Sequence, residues 1–280
     1  MLIDTHTHVV ADDQEKYPLS PGYPASWFTE VPVSAERLQE LMGPAGVERA
    51  VLVQGFGPYG FENSYAADSA QSRPERFSSV CVVDYDDDPV GRLTYWVKER
   101  GARGVRFMPP RTGADAAWLQ DPARDDLWRC AIALNVPILV QIQPVHIPGL
   151  RKAMERFPDT PIALDHCGFP DFSGGPPYEK ARALFELADL PNIHLKVTSN
   201  VLQLAGGDGR DPLDFMRRLG DTFGAERLMW GSDYSQTHNL SYAELAELGR
   251  RASSVLSSEG QEWYRRKTAL KFWPELGGDA

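Results

Sequence analysis

No stretch of this chain stays apolar for long. The longest nearly hydrophobic segment, Ala131 to Ile142, is interrupted by Asn135, Pro137 and Gln141, whereas a membrane-spanning helix needs roughly 20 apolar residues. A membrane partner is therefore not expected. Basic runs are missing too: 39 acidic residues outnumber 29 basic ones, and the resulting net charge of -10 repels a phosphate backbone. Nucleic acid is not expected as a partner. Cysteine is scarce, and Cys81, Cys130 and Cys167 form neither a Cys-x-x-Cys pair nor an even set, which points to reduced thiols rather than a disulfide framework. Cys167 follows His166 and invites a nucleophile reading, but a small buried hydrophobe is the commoner fate of such a residue. The N-terminus shows no basic region and no apolar segment before Asp4, His6 and His8. A secretory signal is not expected, and a cytoplasmic location is.

What is present suits a folded enzyme-sized chain. Of 280 residues, 42% are hydrophobic and 24% charged, with a mean hydropathy of -0.37, enough apolar material for a core and too little polar bias for disorder. Short β-rich runs recur at Leu2–Thr5, Arg49–Gln54, Phe77–Val83, Gly104–Met108, Pro137–Ile142, Pro161–Asp165, Ile193–Val197 and Arg227–Trp230. Helix-like stretches with caps lie between or after them, at Ser34–Met42, Asp88–Arg100, Asp121–Leu134, Pro148–Phe157, Tyr178–Leu190, Asp211–Phe223 and Ser241–Ala252. No composition break marks a linker. Although this length permits two domains, the alternation predicts an α/β fold, one domain over residues 1–280: a single closed (β/α)8 TIM barrel. An extra C-terminal helix, Gln261–Leu270, follows it, and a doubly wound open sheet is the alternative. The loop after strand 1, Val9 to Val33, carries Tyr17, Tyr23, Trp27 and Phe28, and its length predicts a cover over the barrel mouth.

In a parallel barrel the chemistry gathers at the C-terminal strand ends. Strand 1 ends in Asp4-Thr5-His6-Thr7-His8, strand 4 in Arg106, strand 5 in Gln141 and Gln143, strand 6 in Asp165-His166, strand 7 in Lys196 and strand 8 in Asp233. His6 and His8 are two residues apart, so on a strand both side chains leave the same face, roughly 7 Å apart along the chain. Barrel closure sets strand 8 beside strand 1 and predicts Asp233 next to this pair. A carboxylate beside two imidazoles can orient one of them, ligate a metal with them, or deprotonate a water; alternatively, Asp233 simply caps a helix.

Four motifs, Ile-Asp-Thr-His-Thr-His at residues 3–8, Leu-Asp-His-Cys-Gly at 164–168, Asn-Ile-His-Leu-Lys at 192–196 and Met-Trp-Gly-Ser-Asp at 229–233, stand in order at strand ends. Together they resemble the amidohydrolase superfamily, and more narrowly its amidohydrolase-related branch, which holds lactonases acting on 2-pyrone-4,6-dicarboxylate and fuconolactone-like rings. The resemblance implies Asp233, His6, His8 and His166 as catalytic residues. It also exposes departures. Metal-dependent members usually add a strand-5 His, and binuclear ones a carbamylated strand-4 Lys, where this chain has Gln141 and Arg106. A binuclear centre is thus not expected. The missing imidazole, with Arg106 and Lys196 repelling a dication, tilts the expectation toward chemistry that requires no metal. The alternative is one divalent ion, zinc by preference, on His6, His8 and Asp233, with His166 or water completing the set.

Arg106 and Arg111 are cations on the active face of an acidic protein, and a guanidinium fork matches a carboxylate. With Gln141 and Lys196 they are assigned to a small anionic or polyhydroxylated substrate. Pairing of Arg106 with a barrel carboxylate, solvation of Arg111 and an Asp or His contact for Lys196 are the alternatives. Tyr59, His146, Asn200 and His238 lie on mouth loops and receive no role. The expected activity is hydrolysis of a lactone of a sugar-acid or aromatic-degradation metabolite, with Asp233 activating water and the three histidines polarising the carbonyl. A metal-dependent decarboxylase or hydratase of the same superfamily and a catalytically inactive ligand-binding barrel are the rivals. A homo-oligomer stays open.

Overall fold

Near-continuously apolar strands bury both faces, and here they close on themselves. The computed structural model describes residues 1–109 and 118–278. In it β1 (Ile3–Thr7), β2 (Arg49–Val53), β3 (Phe77–Val82), β4 (Val105–Phe107), β5 (Ile138–Val140), β6 (Ile162–Leu164), β7 (Ile193–Thr198) and β8 (Leu228–Gly231) pair in sequence order, each parallel to the next. The ends of the sheet then meet. Asp233 N donates to the His6 carbonyl at 2.8 Å and His8 N to the Tyr234 carbonyl at 2.6 Å, and Thr7 bridges Tyr234 in parallel. The result is a (β/α)8 barrel, as the alternation predicts.

Two apolar layers hold it. Ile3, Val51, Val53, Val80, Leu139, Ala163 and Met229 form an interior cluster with Ala269, Phe272, Trp273 and Leu276, so residues after the last barrel helix pack onto the interior. Trp273 and Leu276 are fully buried there. A larger layer lies between strands and helices and includes Leu38, Leu93, Leu127, Leu150, Phe215 and Leu245. No helix among the described residues is long and apolar enough to cross a membrane.

Caps read from the sequence do start several helices. Ser34 accepts from Arg37 N before Ala35–Met42, Asp88 from Gly91 N before Pro89–Lys98, Asp211 from Leu213 N before Pro212–Phe223, and Ser241 forms a capping box with Glu244 before Tyr242–Ser253. Other expectations need correction. Helix Ser64–Ser72 fills the connection between β2 and β3, where none was predicted, because its buried residues are largely alanines and give little periodic contrast. Ser199–Ala205 is likewise an unforeseen helix directly after β7. Tyr178–Leu190 breaks into short turns around Arg182–Glu186, and the helix expected to open at Asp121 begins at Asp125 after a turn over Pro122–Arg124. The loop from Val9 to Val33 contains one helical turn, Trp27–Glu30.

Candidate active site

Strict period-two alternation from inward-facing Ile3 would place Thr5 and Thr7, not His6, on the interior face. The β1–β2 pairing shifts between Asp4 and Thr7, and an irregularity of this kind re-aims side chains. Beyond it His6 and His8 approach each other with ring centroids 5.0 Å apart. Both face Asp233, whose Oδ1 lies 3.8 Å from His6 Nε2 and 3.5 Å from His8 Nε2. All three side chains are buried.

Hydrogen bonding decides what each group presents. His8 Nδ1 is 3.0 Å from the Val53 carbonyl, which only accepts, so that nitrogen carries the proton and Nε2 offers a lone pair. His6 Nδ1 lies 3.4 Å from Asp165 Oδ1 and 3.2 Å from Lys196 Nζ, while its buried Nε2 has no hydrogen-bond partner. Asp233 sits in the left-handed region with φ of 61°, a conformation that costs a non-glycine residue on the order of 1 kcal/mol. Its Oδ2 accepts from Asn200 Nδ2 at 3.0 Å and Thr237 Oγ1 at 2.8 Å. Its Oδ1, buried, has no donor.

Beneath this cluster lies a second carboxylate. Asp165, at the end of β6, accepts from Arg106 Nε at 2.7 Å and pairs with Lys196 Nζ at 3.2 Å. The next residues, His166, Cys167, Gly168 and Phe169, all have positive φ, 54°, 52°, 70° and 51°, a left-handed turn that only the glycine adopts freely. It carries His166 back over the site. His166 Nδ1 is 2.9 Å from Thr198 Oγ1, its Nε2 is 3.5 Å from Arg106 Nη2, and its ring centroid is 4.7 Å from that of His6.

Burial and charge set the protonation states. Burial pushes His6 well below its usual range, Lys196 adding to the effect, and burial lowers His166 as well. For Asp165 burial acts upward, but Lys196, His6 and Arg106 overcome it and hold the carboxyl well below its usual range. Burial likewise opposes ionisation of Asp233, and the neighbouring imidazoles of His166, His8 and His6 outweigh it and hold the carboxyl below its usual range. Lys196 is brought down to about 8, mainly by burial, with Asp165 resisting. The site thus holds neutral His6 and His166 between two anions and two cations.

Several residues fall elsewhere than the sequence suggests. Lys196 is fully buried below His6, so of its two alternatives the Asp/His contact is the one realised. Arg106 is 5% exposed and engages Asp165, the barrel-carboxylate pairing. Gln141 directly follows β5, and its buried Oε1 lacks a hydrogen-bond partner. Arg111 lies outside the described residues. The Tyr59 hydroxyl accepts from Ala11 N at 2.7 Å, and His146 Nδ1 accepts from Gln143 N at 3.0 Å, so both brace loops. His238 Nε2 approaches Glu30 Oε2 at 3.5 Å, linking the loops after β8 and β1. Trp27, from the long first loop, sets its ring 5.7 Å from that of His8. Cys167 is buried and its thiol is pushed far up by burial, which suits the apolar reading and not a nucleophile. Sequence reasoning gave no role to Asp165, Thr198, Asn200 and Thr237. Only Asp165 carried a signal, its strand-end place before His166.

The donor set fits a divalent cation. His6, His8 and Asp233 each offer a ligand atom, all within 4.8 Å of one another. His6 Nε2 and Asp233 Oδ1 are orphaned buried polar atoms, each costing about 1–3 kcal/mol if nothing meets it. The lone pairs of His8 Nε2 and Asp233 Oδ1 face each other at 3.5 Å, and lone pairs facing one another call for a positive charge between them.

Residues 3–274 match the amidohydrolase family. An L-fucono-1,5-lactonase of Burkholderia ambifaria is 30% identical over 201 residues, covering 70% of this chain and 68% of the relative. A 4-sulfomuconolactone hydrolase of Rhizobium radiobacter is 28% identical over 242 residues, 82% of this chain and 74% of its own. Among solved structures, an amidohydrolase of Burkholderia multivorans with bound zinc superposes with a TM-score of 0.78 at 23% identity, covering 98% of this chain and 99% of that one. The chain belongs to the amidohydrolase family.

Proposed function

We propose that this protein hydrolyses a lactone, and the observation that carries the reading is Asp233: Oδ2 is pinned by two donors while Oδ1 is buried, unpartnered and turned toward His6 and His8. Two relatives named for lactone substrates support it. Asp233 Oδ1 takes a proton from water as the water oxygen bonds to the lactone carbonyl carbon. Collapse of the tetrahedral species breaks the ring C–O bond, and the proton passes from Asp233 to the departing ring oxygen, leaving a hydroxyl and a carboxylic acid. Fixing Oδ2 through Asn200 and Thr237 keeps the basic oxygen aimed without a search over rotamers.

Both cofactor expectations meet the same donors. With its Nδ1 donating to the Val53 carbonyl, His8 offers a lone pair at Nε2 and cannot donate from there to an oxyanion, which supports the metal-dependent expectation. A divalent ion held by His6, His8 and Asp233, zinc suiting two imidazoles and a carboxylate, would lower the pKa of the attacking water and polarise the carbonyl. Arg106 and Lys196 already match Asp165 and Asp233 in charge. Any added cation therefore leaves the site positive and selects an anionic substrate, a carboxylate-bearing ring above all. Gln141 Oε1, unpartnered at the end of β5, accepts from a substrate hydroxyl.

A panel of lactones assayed with and without chelator, alongside elemental analysis, tests this. Ring opening that releases one equivalent of acid, stops on chelation and returns with zinc is the expected outcome. Release of CO2, or no turnover of any lactone, overturns it.

A further inference from the structure

Behind the reactive groups runs a chain of hydrogen bonds in which every direction is forced. It begins at Asp233 Oδ2, a carboxylate oxygen that can only accept. Asn200 must therefore turn its amide nitrogen, 3.0 Å away, toward it; the flipped amide would set two acceptors against each other. That orientation leaves Asn200 Oδ1 facing Thr198 Oγ1 at 2.6 Å. An amide oxygen accepts, so the single hydroxyl proton of Thr198 is committed there. Thr198 Oγ1 is then left with lone pairs toward His166, whose Nδ1 lies 2.9 Å away. The bond requires a proton on Nδ1. Its Nε2 faces the Arg106 Nη2 donor at 3.5 Å, and because a guanidinium only donates, Nε2 presents its lone pair.

A second observation agrees. Thr198 is the N-cap of Ser199–Ala205, yet its side chain makes no cap hydrogen bond. Threonine at this position ordinarily turns its oxygen to the first helical N–H groups, a bond worth about 1 kcal/mol. Here the hydroxyl bonds His166 and Asn200 instead, at the helix's expense.

We infer that Thr198 and Asn200 are positioning residues that lock His166 in its Nδ1–H tautomer and hold Asp233 with Oδ1 as its reacting oxygen. The chain of donation runs Arg106, His166, Thr198, Asn200, Asp233, joining residues of β4, the β6 turn, β7, the helix after it and the β8 loop. His166 consequently serves the site as an acceptor at Nε2, orienting the Arg106 guanidinium, and not as a donor to the carbonyl oxygen. The tautomer follows from this geometry alone, whereas its catalytic consequence rests on the lactone-opening reading.

Long-range proton–nitrogen NMR of the full chain labelled with 15N-histidine reads the tautomer directly, with His166→Gln assigning the signal. Wild type should show His166 as a neutral Nδ1–H imidazole. Thr198→Val, which keeps the shape and removes the hydroxyl, should move it toward Nε2–H, and Thr198→Ser should restore Nδ1–H. In parallel kcat should fall about 10- to 100-fold in Thr198→Val with KM changed less than about threefold, and recover in Thr198→Ser. An Nε2–H or doubly protonated His166 in wild type, or a tautomer unmoved by Thr198→Val, overturns the inference. Failure of every lactone to react would instead sink the functional reading and leave the tautomer result standing.

Discussion

Asp165 accepts from Arg106, pairs with Lys196 and approaches His6, so a single carboxylate pairs with both cations buried at the base of the site. Replacing it with asparagine leaves a guanidinium and an ammonium buried side by side. Unpairing a buried charge typically costs about 3–5 kcal/mol, and Asp165→Asn should lose that much in urea unfolding; a loss below about 1 kcal/mol would show that the pairing is not what holds these cations. This residue also shows how far the sequence carries. Its strand-end position was visible, but its three partners come from β1, β4 and β7, and only the closed barrel brings them together. Asn200 and Thr237 were less legible still, because a polar residue on a loop has no pattern of its own until the carboxylate it holds is in place.

At the scale of elements, the meeting of β8 with β1 sets the distance between Asp233 and the histidines. Gly231 ends β8, and a Cβ there would lie 2.7 Å from His6 Cβ and 3.2 Å from His6 N. Gly231→Ala must push the two strands apart. It should destabilise the protein by about 1–3 kcal/mol and lower kcat by moving His6 off Asp233, whereas wild-type turnover in this variant would mean that the spacing is not critical. Strand β7 carries a separate liability at its start. His194, 9% exposed and packed on Phe272 with ring centroids 5.0 Å apart, is lowered to about 4 by burial. Its unfolded form takes a proton near 6.5, so between these values the unfolded state binds more protons. Stability from this residue is complete above about pH 6.5 and is lost as pH falls toward 4, by about 3 kcal/mol. His194→Gln should flatten that part of the stability profile relative to wild type, and an unchanged slope would remove His194 as its source. The helices show the limit of pattern reading: amphipathic segments with caps were legible, while alanine-rich Ser64–Ser72 lacked the contrast that marks a buried face.

For the whole molecule, closure is what makes the chemistry. His8 and Asp233 stand near opposite ends of the sequence, and the strand order alone predicted that they meet; the structure places their Nε2 and Oδ1 atoms 3.5 Å apart. What the sequence withheld was polarity of a finer kind, namely which nitrogen of each imidazole carries a proton, since that depends on the Val53 carbonyl for His8 and on Thr198 for His166. The most direct measurement of the central claim compares ring opening of a carboxylate-bearing lactone by wild type and Asp233→Asn in a pH-stat, with unfolding followed on the same samples. The amide oxygen can accept from Asn200 and Thr237 while its nitrogen donates toward the His8 Nε2 lone pair, so the variant should fold as stably as wild type. Its kcat should nevertheless drop about 1000-fold, because an amide takes no proton from water. A folded Asp233→Asn protein that opens the ring within a few-fold of the wild-type rate would contradict the assignment of Asp233 as the base.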